Sequence, residues 1–142
     1  MNETYQEADT ARIASFLLER VKINPAGATI LGLQGELGAG KTTLVQAMAK
    51  QLGVKDTVVS PTFVIAKYYQ TIDTRFGTLV HIDAYRIESP DELGPLNFDV
   101  LLSTPNTLII IEWPERIRGA LPSHTHFFQI GHTADGRIIT SL

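Results

Sequence analysis

Thr29-Ile30-Leu31-Gly32-Leu33 is a short, nearly continuous apolar run. It leads through Gln34 into Gly35-Glu36-Leu37-Gly38-Ala39-Gly40-Lys41-Thr42, and then into Thr42–Leu52. The first run is what a strand buried on both faces looks like. In the last, Leu44, Val45, Met48, Ala49 and Leu52 recur at helical spacing, and Gly53 is placed to stop the helix. The eight residues between match G-x-x-x-x-G-K-[ST] without deviation. Glycines in such a loop let backbone N–H groups converge on an anion, and the helix that follows presents its positive end to it. Lys41 adds a point charge toward the phosphates, and the Thr42 hydroxyl suits a magnesium ion.

Outward from this junction the pattern alternates. Ala11, Ala14, Leu17, Leu18 and Val21 give Ala8–Lys22 a helical spacing, ended by Asn24-Pro25-Ala26-Gly27. Val64–Tyr69, Thr78–Ile82 and Thr107–Ile111 read as strands. Ser89-Pro90-Asp91-Glu92 reads as a helix start. His126–Ile130 and Arg137–Thr140 read as terminal strands joined around Asp135-Gly136. The alternation predicts an α/β fold of the three-layer phosphate-loop NTPase type. Its central sheet is mainly parallel, with antiparallel additions and few helices. The 142 residues make one domain without a linker or repeat.

Two acids follow apolar strands. Asp83 ends Thr78–Ile82, where a Walker B carboxylate sits, and Glu112 ends Thr107–Ile111, with Pro114 stopping the ladder. In open α/β sheets ligands bind beyond the carboxyl ends of the strands, so both acids are expected at the phosphate loop. Glu112 suits either metal binding or orientation of an attacking water. Val59-Ser60-Pro61-Thr62-Phe63 is either a γ-phosphate-sensing switch loop or a plain entry to a strand. Trp113 favours packing at a core or rim, and Arg86 a structural ion pair over charge neutralisation during reaction. His81 reads as packed, and His124 and His126 as surface residues. No arginine finger is evident in the chain.

Composition narrows the choices. The balance of 12 Lys and Arg against 15 Asp and Glu gives a net charge of -3, unlike domains that hold nucleic acid by bulk charge. With no cysteine there is no disulfide framework, thiolate zinc site or cysteine nucleophile, which fits a cytoplasmic location. Met1–Asp9 is polar and acidic, unlike a signal peptide, and no apolar run is long enough to span a bilayer.

Four segments together, GELGAGKTTL at Gly35–Leu44, SPTF at Ser60–Phe63, HIDAYRI at His81–Ile87 and IEWPERI at Ile111–Ile117, resemble the TsaE (formerly YjeE) family. These are small bacterial ATPases required for making threonylcarbamoyladenosine in tRNA. The resemblance implies binding of ATP or ADP with Mg²⁺ and slow hydrolysis. By match, Gly38, Gly40, Lys41, Thr42 and Thr43 hold nucleotide, with Glu36, Leu37 and Ala39 completing the loop. Thr42 takes the metal, Asp83 the Walker B role, and Glu112 the metal or water role with Trp113 beside it. Ser60 and Thr62 fall on a switch-like loop, and Thr10 near an adenine contact. The family works with the TsaB–TsaD pair, whose reset it is thought to drive, so tRNA would be reached through those partners.

After Pro90-Asp91-Glu92-Leu93 the chain departs from the family pattern, with Gly94-Pro95-Leu96-Asn97 intervening. No site residue is taken from the stretch after Gly119. Two rival readings are a small-molecule or nucleoside kinase and a nucleotide-dependent binding switch without useful hydrolysis. A kinase lid is usually rich in arginine, and Pro90–Pro105 contains none.

Overall fold

The computed structural model describes residues 1–61 and 65–142. Seven strands form one sheet: β1 (Asn2–Tyr5), β2 (Thr29–Gln34), β3 (Ala66–Gln70), β4 (Thr78–Asp83), β5 (Thr107–Glu112), β6 (His126–His132) and β7 (Arg137–Ser141). Their order across the sheet is β1-β7-β6-β2-β5-β4-β3. The centre, β6-β2-β5-β4, is parallel; β3, β7 and β1 add on antiparallel. Helices α1 (Thr10–Arg20), α2 (Lys41–Gln51) and the short α3 (Phe98–Leu102) are joined by 3₁₀ segments at Glu7–Asp9, Pro90–Leu96 and Pro114–Ala120.

Successive side chains of a strand point to opposite faces. On β5 Leu108 and Ile110 join the core under α1 and α2, with Leu31, Leu33, Leu17, Leu44 and Met48. Ile109 and Ile111 join the opposite core, with Ile30, Val80, Ile82, Phe98 and Ile117. Both faces are therefore apolar, which is why β2 and β5 read as unbroken apolar runs rather than alternating ones. The result is the expected three-layer arrangement, with the second layer built mostly from 3₁₀ turns.

Three elements differ from expectation. β1 is absent from the sequence reading because Asn2-Glu3-Thr4-Tyr5 buries only Tyr5; its pairing with β7 makes it a strand. Ser89 does cap a helical segment, and Glu92 reaches back to the Glu88 and Ser89 N–H groups, but the segment is 3₁₀. Pro95 lies inside it and Asn97 turns left-handed (φ 49°) at its end, so α3 starts afresh at Phe98. The strand expected from Val64 begins at Ala66; residue 64 lies outside the described residues. No helix among the described residues is long and apolar enough to cross a membrane.

Candidate nucleotide site

The loop between β2 and α2 turns on Gly38 (φ 78°) and Gly40 (φ 101°). Both angles lie where side chains are disfavoured. Gly40 is the N-cap of α2 and brings no side-chain cap, so the first turn of the helix, which lines the cleft, keeps N–H groups without a side-chain acceptor. Lys41 opens the helix and folds back over the loop. Its Nζ donates to the carbonyls of Gly35 and Glu36 at 2.5 and 2.9 Å and sits 4.3 Å from the centroid of the Trp113 ring. Burial pushes its pKa down, opposed by the charges of Glu112, Glu115 and Asp83.

Parallel pairing sets Asp83 of β4 opposite Glu112 of β5, and Glu112 opposite Leu33 of β2. Two carboxylates thus leave the same edge of the sheet, next to the loop that continues β2. The Thr42 hydroxyl donates to both Glu112 oxygens, at 2.9 and 3.0 Å. His81 Nε2 lies 2.6 Å from Glu112 Oε2. Asp83 accepts from the Ser60 hydroxyl at 2.9 Å and from the Tyr85 N–H at 3.0 Å. Glu112 is thus held from α2 and β4, and Asp83 from the Ser60 loop and from the turn that follows its own strand.

Beyond Glu112 the chain turns left-handed at Trp113 (φ 60°) and starts the 3₁₀ segment at Pro114. A bulky residue in that region is strained, and such strain persists where surroundings over-determine it. Here the indole is flanked by the Lys41 ammonium and by Tyr85, whose ring centroid is 5.0 Å away.

These parts enclose an open cleft of about 410 Å³ lined by Lys41, Thr42, Asp83, Glu112, Trp113 and Arg137, among others. Of the residues singled out in the sequence, Leu37, Gly38, Gly40, Thr43, Ser60 and Arg86 also line it. Glu36 contributes its carbonyl to Lys41, and Ala39 is buried in the core beneath the loop. Thr10 does not line the cleft; its hydroxyl donates to the Glu7 carbonyl at 2.6 Å. Thr62 lies outside the described residues.

Arg137 is the residue that sequence reasoning missed. It stands at the start of β7, beyond Gly119, and nothing in Asp135-Gly136-Arg137-Ile138 marks it locally. Only the order of strands in the sheet carries it to the loop. His81 also contacts one of the two cleft carboxylates. It is packed, with no exposed surface, and at the same time touches Glu112. His124 and His126 lie in a separate groove with Lys22 and Asn24.

The chain matches the family model described as "Threonylcarbamoyl adenosine biosynthesis protein TsaE" over residues 4–139. It is 45% identical over 95 residues to the tRNA threonylcarbamoyladenosine biosynthesis protein TsaE of Streptomyces coelicolor, covering 66% of this chain and 62% of that one. It is 39% identical over 112 residues to the protein of the same description from Aquifex aeolicus, covering 78% and 73%. The matches to the Streptomyces coelicolor and Rickettsia felis relatives span 62% and 63% of those proteins, so this chain corresponds to a little under two thirds of their length. The crystal structure of Bacillus subtilis YdiB superposes with a TM-score of 0.73 at 26% identity, covering 99% of this chain and 83% of that one. With the phosphate loop between β2 and α2 and the mainly parallel sheet centre, this chain has a P-loop NTPase-like fold and belongs to the TsaE family.

Proposed function

We propose that the chain is a magnesium-dependent ATPase that supports threonylcarbamoyladenosine modification of tRNA by binding and resetting the TsaB–TsaD threonylcarbamoyltransferase complex. The biosynthetic role rests on the family. The ATPase chemistry rests on one observation: Lys41, Thr42, Asp83 and Glu112, from one helix and two strands, converge on a single cleft at the phosphate loop.

The fit to ligands can be judged from these residues. Uncapped N–H groups at α2 and the lysine suit a polyphosphate. The Thr42 hydroxyl with the Asp83 and Glu112 carboxylates is an all-oxygen donor set, which suits Mg²⁺. Among the described residues no group of three His, Cys, Asp or Glu side chains could hold an ion by itself. That agrees with an ion bound by one or two carboxylates together with substrate phosphates. When bound, Mg²⁺ would neutralise charge developing on the phosphates. Lys41, held over the loop by two of its carbonyls, would supply positive charge for the same task. Glu112 and Asp83, held by neighbouring groups at the same cleft, would bind the ion or orient water.

The test is reconstitution of threonylcarbamoyl transfer to tRNA with TsaB–TsaD, with and without this chain and ATP. The reading expects slow ATP hydrolysis by the chain alone, faster hydrolysis with TsaB–TsaD, and multiple turnovers of modification only when chain and ATP are both present. Fast hydrolysis indifferent to the partners would sink it. Retained modification by Glu112→Gln with hydrolysis abolished would instead favour the binding-switch reading.

A further inference from the structure

Arg137 is held firmly by its backbone and loosely at its tip. As the first residue of β7 it pairs with Tyr5 of β1 on one side and His132 of β6 on the other, so its Cα cannot wander. The side chain is only 15% exposed. It reaches the α2 N-terminus, where a Cβ built on Gly40 would lie 2.6 Å from Nη1 and 2.8 Å from Cζ. Gly40 is thus needed for its left-handed backbone (φ 101°), and the guanidinium lies directly against it.

Nη1 is buried and has no hydrogen-bond partner among the described residues. Nη2 lies 3.7 Å from Oε1 of Glu7, a side chain that is 73% exposed. Such a long, solvated pair contributes little, whereas a buried cationic donor with no acceptor is unfavourable. The other acids of the cleft are engaged elsewhere, Glu112 by His81 and Thr42, Asp83 by Ser60 and the Tyr85 N–H. An orphaned guanidinium nitrogen beside uncapped helix N–H groups, in the cleft that also holds Lys41, lacks an anion.

We propose that Arg137 is a second cationic contact for the polyphosphate of the nucleotide, held in reserve by Glu7 and released to the phosphates when nucleotide binds. The inference rests on the reading of the cleft as a nucleotide site. It adds a residue from the far end of the chain and a competing acid from the turn before α1. Arg suits the task because its planar fork can keep one nitrogen against Gly40 and turn others to phosphate oxygens.

The test uses the full chain and a fluorescent ADP analogue, displaced either by ADP or by inorganic pyrophosphate. In Arg137→Met the apolar stem is kept and the charge removed. Affinity for ADP and for pyrophosphate should both fall about tenfold or more, as for loss of a charge-assisted hydrogen bond. Arg137→Lys should lie between. Glu7→Gln, a change at an exposed side chain, should tighten both ligands about two- to threefold by freeing the guanidinium. Unchanged affinity in Arg137→Met would overturn the proposal. So would a loss for ADP with none for pyrophosphate, which would put the arginine on the base or ribose. If Arg137→Met does not fold, Glu7→Gln decides alone, and no gain in pyrophosphate affinity would overturn the idea. Failure of the wild-type chain to bind ADP at all would instead remove the nucleotide reading itself.

Discussion

His81 Nε2 and Glu112 Oε2 are 2.6 Å apart, both side chains buried between adjacent parallel strands. The imidazole takes one carboxylate oxygen from behind while the Thr42 hydroxyl faces the carboxylate from the cleft side. Glu112 therefore has one orientation fixed by the protein. Its cleft-facing contact, a single hydroxyl, is the one a ligand could replace.

Removing the rear contact should loosen Glu112 without touching the phosphate loop. His81→Phe is expected to lower the ATP hydrolysis rate about tenfold or more, in the range seen when groups behind a ligating side chain are lost. ADP affinity should change little. Steady-state hydrolysis alongside ADP titration checks this; an equal loss in both would mean that the change has spread to the loop.

Lys41 is placed against its own stability. Its pKa is depressed by burial, so the folded state disfavours the protonated amine. The penalty is fully present well below the folded pKa and fades as pH rises through it toward the unfolded value. Lys41→Met should abolish nucleotide binding yet melt higher than wild type at pH 7, and the difference in melting temperature should shrink by pH 10. Thermal unfolding across that range is the measurement; a variant that melts lower at pH 7 would show that the loop carbonyls need the ammonium more than burial penalises it.

Asp73 works in the opposite sense, at the turn between β3 and β4. It accepts from the Arg75 Nε and Nη2 and from the Arg75 and Phe76 N–H groups at 2.8 to 3.2 Å. The side-chain hydrogen bond from Arg75 is the largest influence holding its pKa below the ordinary carboxylate value, and burial opposes it. A lowered folded pKa stabilises above the unfolded value of 3.8 and is lost as pH falls through the folded one. Asp73→Asn should destabilise by about 1–2 kcal/mol at pH 7 and by progressively less below pH ~4. Urea unfolding at pH 7 and pH 3 tests it.

Gly32 has no spare room. A Cβ there would meet Pro114 Cγ at 2.9 Å and Phe127 Cδ1 at 3.0 Å. Gly32→Ala should cost about 1–3 kcal/mol by overpacking. Because Pro114 follows Trp113, the same change should also weaken ADP binding, which Gly131→Ala, at a position with more space, should not. Denaturant melts and ADP titration of both variants separate the two effects.

The legible parts of the chain were those where one segment carries its own signal. Thr29–Leu33 and Thr107–Ile111 are apolar throughout because sheet centres are covered on both faces, and the acids after β4 and β5 follow from where those strands end. The illegible parts depend on partners distant in sequence. Asn2–Tyr5 becomes a strand because β7 is beside it, and Arg137 becomes a cleft residue because β6 and β7 extend the sheet past β2. Ser89-Pro90-Asp91-Glu92 marked a helix start, but nothing local said that the layer would be closed mostly by 3₁₀ turns.

Trp113 is the chain's single tryptophan. Its ring rests 4.3 Å from the loop ammonium and 5.0 Å from Tyr85. Indole emission from this chain therefore originates at one address, in the lining of the cleft and beside the Lys41 charge. If the cleft takes nucleotide as proposed, occupancy should be readable from this indole without a label, and in the presence of any partner made free of tryptophan.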